Sequence, residues 1–187
     1  MNWRKIDENW KEFEKEFNLD VKRLNKNYFH GYQDFYKATE YFEGFKVFYE
    51  NSINKSNNFG SLLGNSMRIL VPIKTSPQLR ISIKKKSTIR RLLGDGNGDE
   101  INSDDFQVDK ELPIVEIKKI FERFPKTEIT IKEYGKYGNE KIKKDQEVLK
   151  IEINNQPESF EELKAIRDFT LLILSSLITI GRLKART

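Results

Sequence analysis

The chain has no cysteine, and His30 is the one histidine in its 187 residues. Thiolate nucleophiles, cysteine-held metals and multi-histidine metal sites are therefore excluded within one chain. Acid–base catalysis near neutral pH leans on histidine, so what remains is carboxylate, Lys and Arg chemistry, aromatic surface, or binding alone. The lack of cysteine also suits a reducing compartment and excludes a disulfide-stapled secreted scaffold. Met1 to Lys5 lead straight into a charged stretch with no apolar signal core, so the expected location is the cytoplasm.

Signature loops are missing as well. There is no Gly-x-Ser-x-Gly elbow, no phosphate-binding Gly-rich loop ending in Lys-Ser/Thr, and no dinucleotide fingerprint. His30, in Tyr28-Phe29-His30-Gly31-Tyr32, has Asp34 as its one near acidic neighbour and reads as a structural residue. The longest apolar run, Phe169 to Ile180, falls short of the roughly 20 residues that span a bilayer, which disfavours a membrane partner. No motif calls for a cofactor or a resident metal.

What is present is charge and aromatic surface. Basic residues number 34 against 29 acidic, and thirteen Phe and seven Tyr raise the aromatic share to 12% while hydrophobic residues reach just 37%. An aromatic-heavy core inside a strongly charged surface is expected, in one domain spanning residues 1–187. Abundant Lys, Asn and Ile with few Ala suit an AT-rich bacterial coding sequence.

Apolar residues at Trp3, Ile6, Trp10, Phe13, Phe17, Val21 and Leu24 step by three and four, which predicts an amphipathic helix over 3–24. Residues 28–49 hold nearly half of the aromatics, and the alternation of Phe45, Val47 and Tyr49 predicts a strand entered through Gly44. Residues 51–65 read as a loop. The alternating runs Met67 to Ile73 and Leu79 to Ile83, separated by Thr75-Ser76-Pro77, predict a hairpin.

Further on, Ser87 to Leu93 predicts a short helix, Asp95 to Asp105 an exposed loop, and Phe106 to Val108 a short strand. Pro113 opens a helix through Phe124, and Ile129 and Ile131 pair with Leu149, Ile151 and Ile153 in a second hairpin. Ser159 with Glu162 forms a capping box for a last helix that turns almost wholly apolar from Leu171. The assembly expected is an α+β fold, a mainly antiparallel sheet packed against N-terminal, central and C-terminal helices.

Three constellations carry possible chemistry. Lys84, Lys85, Lys86, Arg90 and Arg91 form the densest basic cluster, which suits nucleic acid if it lies on one face and is not neutralised by the acidic run from Asp95 to Asp105. Glu116-Ile117-Lys118, with Asp104 or Asp105 upstream, matches the Glu-x-Lys element of a metal-dependent nuclease or hydrolase, an element that usually lies on a strand. Asp95-Gly96-Asn97-Gly98-Asp99 starts like a calcium loop, then fails at Glu100 and Phe106 and reads as a turn.

The element order resembles a group of bacterial proteins of unknown function. In that group an N-terminal helix leads to a Gly-containing strand like Glu43 to Tyr49 and then to one like Met67 to Ile73. An acidic turn with a short aromatic strand like Asp104 to Val108, a helix, a hairpin and a last helix follow. The resemblance implies the fold and transfers no functional residue.

The leading expectation is a non-enzymatic cytoplasmic module that binds a protein partner or itself, through its first or last helix and the aromatic segment, with Tyr28, Tyr32, Phe35 and Tyr36 as contact residues. Nucleic-acid binding by the basic cluster and metal-dependent hydrolysis are the alternatives.

Overall fold

A computed structural model describes residues 3–28, 31–55, 66–75, 79–85, 99–103, 111–133, 142–143 and 146–184. Helix α1, Trp3–Phe17, buries Ile6, Trp10 and Phe13 along one stripe. It stops seven residues before the periodicity does. Asn18 takes a left-handed φ of 51°, and the Leu19 amide donates to the Glu14 carbonyl at 3.0 Å, closing the last turn. Val21 and Leu24 keep the helical spacing but lie beyond this stop, and the chain is already a strand at Leu24.

Strands β1, Lys22–Tyr28, β2, Gly31–Phe42, and β3, Phe45–Lys55, form an antiparallel meander. Between β2 and β3, Glu43 and Gly44 both have positive φ, 48° and 82°, as the tightest hairpin turn requires, and Phe42 stands opposite Phe45. Residues 51–55, expected in a loop, extend β3.

Strands β4, Ser66–Pro72, β5, Lys74–Thr75, β6, Ile81–Lys85, and β7, Asp99–Ser103, follow, the last inside the expected acidic loop. Helix α2, Ile114–Arg123, leads to β8, Thr127–Glu133, and β9, Glu147–Ile153. Helix α3, Phe160–Thr179, and β10, Leu183–Lys184, end the described chain. The main sheet has the order β1-β2-β3-β4-β9-β8-β6-β7, while β5 pairs with β10. Every pairing is antiparallel.

The hairpin expected from Met67 to Ile83 does not form, because the β8–β9 hairpin stands between β4 and β6. Its cause lies at Thr75, whose amide and hydroxyl both bond the Glu147 carboxylate, at 2.8 and 2.7 Å. The chain is thereby held to the start of β9 and carried past it. The expected helix over 87–93, the strand over 106–108 and the part of the expected loop from 56 to 65 lie outside the described residues.

Within the described residues the helices pack on one face of the sheet. There Tyr49, Ile69, Ile83, Ile131 and Ile151 meet Trp10 and Phe13 of α1, Ile117 and Phe121 of α2, and Ile166, Ile173 and Leu177 of α3, in one continuous core. Each large apolar side chain buried there contributes about 1.5–3 kcal/mol. Ser159 caps α3 by accepting from the Glu162 amide at 3.2 Å, and Glu162 reaches back to the Glu158 amide at 2.7 Å. The apolar run of α3 is therefore a core stripe, and among the described residues no helix is long and apolar enough to cross a membrane.

Candidate binding surfaces

The residues expected to contact a partner fall on different sides. Tyr36 is buried, its ring stacked on Trp10 at 5.5 Å, so it belongs to the core and offers no contact surface. Phe35, one residue away on β2, points to the opposite face, where the Lys26 ammonium lies 5.3 Å from its ring centre. Tyr28 and Tyr32 lie in β1 and β2, and their side chains fall outside the described residues.

The basic cluster is split in the same way. Lys84 is exposed on the sheet face away from the helices, whereas Lys85 turns toward α2 and its ammonium meets the Phe121 carbonyl at 3.5 Å. The acidic run does come alongside, since Lys84 stands opposite Glu100 and Lys85 opposite Asp99. Lys86, Arg90 and Arg91 lie outside the described residues.

For the hydrolase alternative, Glu116 and Lys118 sit on helix α2 instead of a strand, and two residues apart on a helix they point in different directions. Asp104, Asp105 and His30 lie outside the described residues. Among the described residues no group of three His, Cys, Asp or Glu is placed to hold a metal ion.

Two charge networks, the first of them largely buried, tie the helices to β1–β3. The Arg167 guanidinium of α3 grips both carboxylate oxygens of Glu40, its Nε at 3.1 and 3.0 Å, and the Tyr49 hydroxyl donates to the same carboxylate at 2.9 Å. Burial, then the charge and hydrogen bond of Glu40, push the Tyr49 hydroxyl far above the usual tyrosine range, against the opposing pull of Arg167. In the second network Tyr36 donates to Asp7, and Arg23 bridges Asp7 and the buried Asp34 at 2.8 and 2.9 Å. Asn25 completes it by donating to Asp34 at 2.7 Å. These polar groups are satisfied within the chain and position α1 and α3.

The sheet face away from the helices carries charge in register. Lys22, Lys37, Glu50, Arg68, Glu152, Glu128, Lys84 and Glu100 stand in one transverse row across all eight strands. Glu50 takes Lys37 at 3.7 Å, and Glu152 takes both Arg68, at 3.0 Å, and Lys150, at 2.5 Å. Burial pushes the Glu152 carboxyl up, but the hydrogen bonds from Lys150 and Arg68 outweigh it and hold it below the usual range. Beside this row Phe48, Leu70, Ile142 and Val148 form a small second core.

The third feature is a groove of about 350 Å³ between α2 and α3. Glu116, Lys119, Ile120 and Arg123 line one wall, and Ala165, Asp168, Phe169 and Leu172 the other. Each set follows the i, i+3, i+4, i+7 spacing of a helix seam, so one seam of each helix lines the groove, its apolar residues set between charged ones. Leu172 is 38% exposed and Val115, one turn before Lys119, is 60% exposed. The sequence signal for this groove was weak: α3 is apolar on several sides, and which side stays open depends on how it docks.

Compared with family models, curated proteins and solved structures, the chain finds no match.

Proposed function

We propose that this chain is a non-enzymatic, cytoplasmic bacterial protein-interaction module whose α2–α3 groove receives an amphipathic helix of a partner protein. The observation that carries this reading is the pair of helix seams along one groove, with Leu172 partly exposed beside the buried Ile120 and Phe169. A third helix laid in the groove would complete a helix–helix packing that α2 and α3 begin, the usual way a groove of this kind captures a peptide.

The rim is charged on both sides: Glu116, Lys119 and Arg123 stand on the α2 side and Asp168 on the α3 side, so a partner helix with polar borders flanking its apolar stripe suits it. Of the surfaces expected from sequence, the apolar stripe of α1 is spent on the core, whereas the last helix contributes through Leu172.

The test compares wild type with Leu172→Asp and Ala165→Asp, both on the groove wall, as baits in a native lysate, with and without nuclease. A protein retained by wild type under both treatments and lost on both variants, whose isolated helix then competes it off, supports the groove. Material lost on nuclease treatment, or a partner indifferent to both substitutions, overturns it.

A further inference from the structure

Asn51 is fully buried on the helix-facing side of β3, where Tyr49 and Ile53 flank it along the strand. Neither end of its side-chain amide makes a hydrogen bond among the described residues. On α1 the indole Nε1 of Trp10, a residue 1% exposed, and the Nδ2 of Asn9, 7% exposed, are in the same condition.

These three residues belong to one layer of the core. Asn51 stands directly opposite Tyr36 in the β2–β3 ladder, and the Trp10 ring is stacked on the Tyr36 ring at 5.5 Å. Side chains directly opposite on paired strands have Cβ atoms about 4.5–5.5 Å apart, so Tyr36 has Asn51 beside it and Trp10 stacked on it. Asn9 shares with Ile6, Trp10 and Phe13 the i, i+3, i+4, i+7 stripe by which α1 meets the sheet.

A buried amide or indole N–H is almost always bonded, because leaving it bare forfeits the hydrogen bonds it makes to water in the unfolded chain. The hydroxyl protons of this core are committed elsewhere: Tyr36 donates to Asp7, Tyr49 to Glu40, and Thr170 to the Ile166 carbonyl. On its β4 side Asn51 faces Met67, whose thioether is a weak acceptor and no donor.

We infer that α1 is docked on β3 through an internal water site, in which a bound water accepts from Trp10 Nε1 and bonds the Asn51 amide. Water both donates and accepts, so it serves either end of that amide, and Asn9 brings a further donor from the same turn of α1. The groups on offer are amides and an indole, none of them charged, which suits a neutral occupant and not an ion. The site shares no residue with the α2–α3 groove, so it stands or falls separately from the helix-binding reading.

The test is heteronuclear-edited NOE spectroscopy of the full chain in the laboratory and rotating frames, read at the Trp10 indole proton. The second indole, Trp3, is identified with Trp3→Phe. A long-lived water beside Trp10 gives a cross peak at the water frequency whose sign inverts between the two frames, whereas proton exchange keeps one sign in both. Asn51→Leu should abolish that cross peak. Tyr36→Phe should retain it, which separates a bound water from a signal relayed through the Tyr36 hydroxyl. The wild-type spectrum decides by itself if Asn51→Leu folds poorly. Absence of the inverting cross peak in wild type, its survival in Asn51→Leu, or its loss in Tyr36→Phe would overturn the assignment.

Discussion

Arg167 and Glu40 are 127 residues apart in the chain and bonded through both carboxylate oxygens, joining the last helix to the second strand. Their side chains are 17% and 10% exposed. Arg167 also lies 4.0 Å above the Phe17 ring, so one guanidinium holds α3, β2 and the end of α1 together. This pair sets how α3 sits on the sheet, and with it which side of α3 faces the groove.

Replacing one member strands the other. Arg167→Met should destabilise the fold by about 3–5 kcal/mol, the usual cost of leaving a buried charge unpaired. The double variant Arg167→Met with Glu40→Met should lose less than the sum of the two single changes. Denaturant unfolding of the four proteins measures the coupling, and strict additivity would deny it.

Alkaline pH acts on two hydroxyls. Tyr36 is pushed far above the usual tyrosine range by burial and by its bond to Asp7, as Tyr49 is by burial and Glu40. In the unfolded chain both ionise near pH 10, so the folded state keeps protons that the unfolded state gives up. Their stabilisation is therefore complete below about pH 10 and falls as pH rises beyond it. Absorbance at the tyrosinate band should show Tyr36 and Tyr49 withheld from titration until the chain unfolds.

The stop of α1 rests on the left-handed Asn18. Asn18→Val should cost about 1–2 kcal/mol, because a β-branched side chain meets the carbonyl in that conformation, and Asn18→Gly should cost nothing. Thermal melts of the two variants separate backbone strain from any loss of the Asn side chain.

The legibility of this chain in its sequence follows from where polar residues point. Helix α2, the cap and body of α3 and the β8–β9 hairpin could be read directly, because their apolar residues keep one period and their ends carry Pro113, Pro125 and Ser159. Strand β2 could not. Its inward side alternates Asp34, Tyr36, Ala38 and Glu40, a pattern that looks solvated until Arg23 and Arg167 arrive from other elements. The extension of α1 to Leu24 failed for a related reason, since spacing alone does not register a left-handed stop at Asn18.

The binding surfaces were still less legible. Within residues 28–49 Tyr36, Phe45, Phe48 and Tyr49 are buried while Tyr41 is exposed, a division that aromatic density alone does not reveal, and the period-two geometry of a strand sends Lys84 and Lys85 to opposite sides of the sheet. The groove arises from residues on two separate helices, whose grouping follows from how α2 and α3 pack on the sheet.

The most direct measurement is the affinity of wild type and Leu172→Asp for the helix of whatever protein the chain retains from lysate. Because Leu172 is partly exposed on the groove wall, the substitution should weaken that binding at least tenfold, about 1.4 kcal/mol, and leave the thermal midpoint within error of wild type. Equal affinity of the two proteins would contradict the groove as the docking surface.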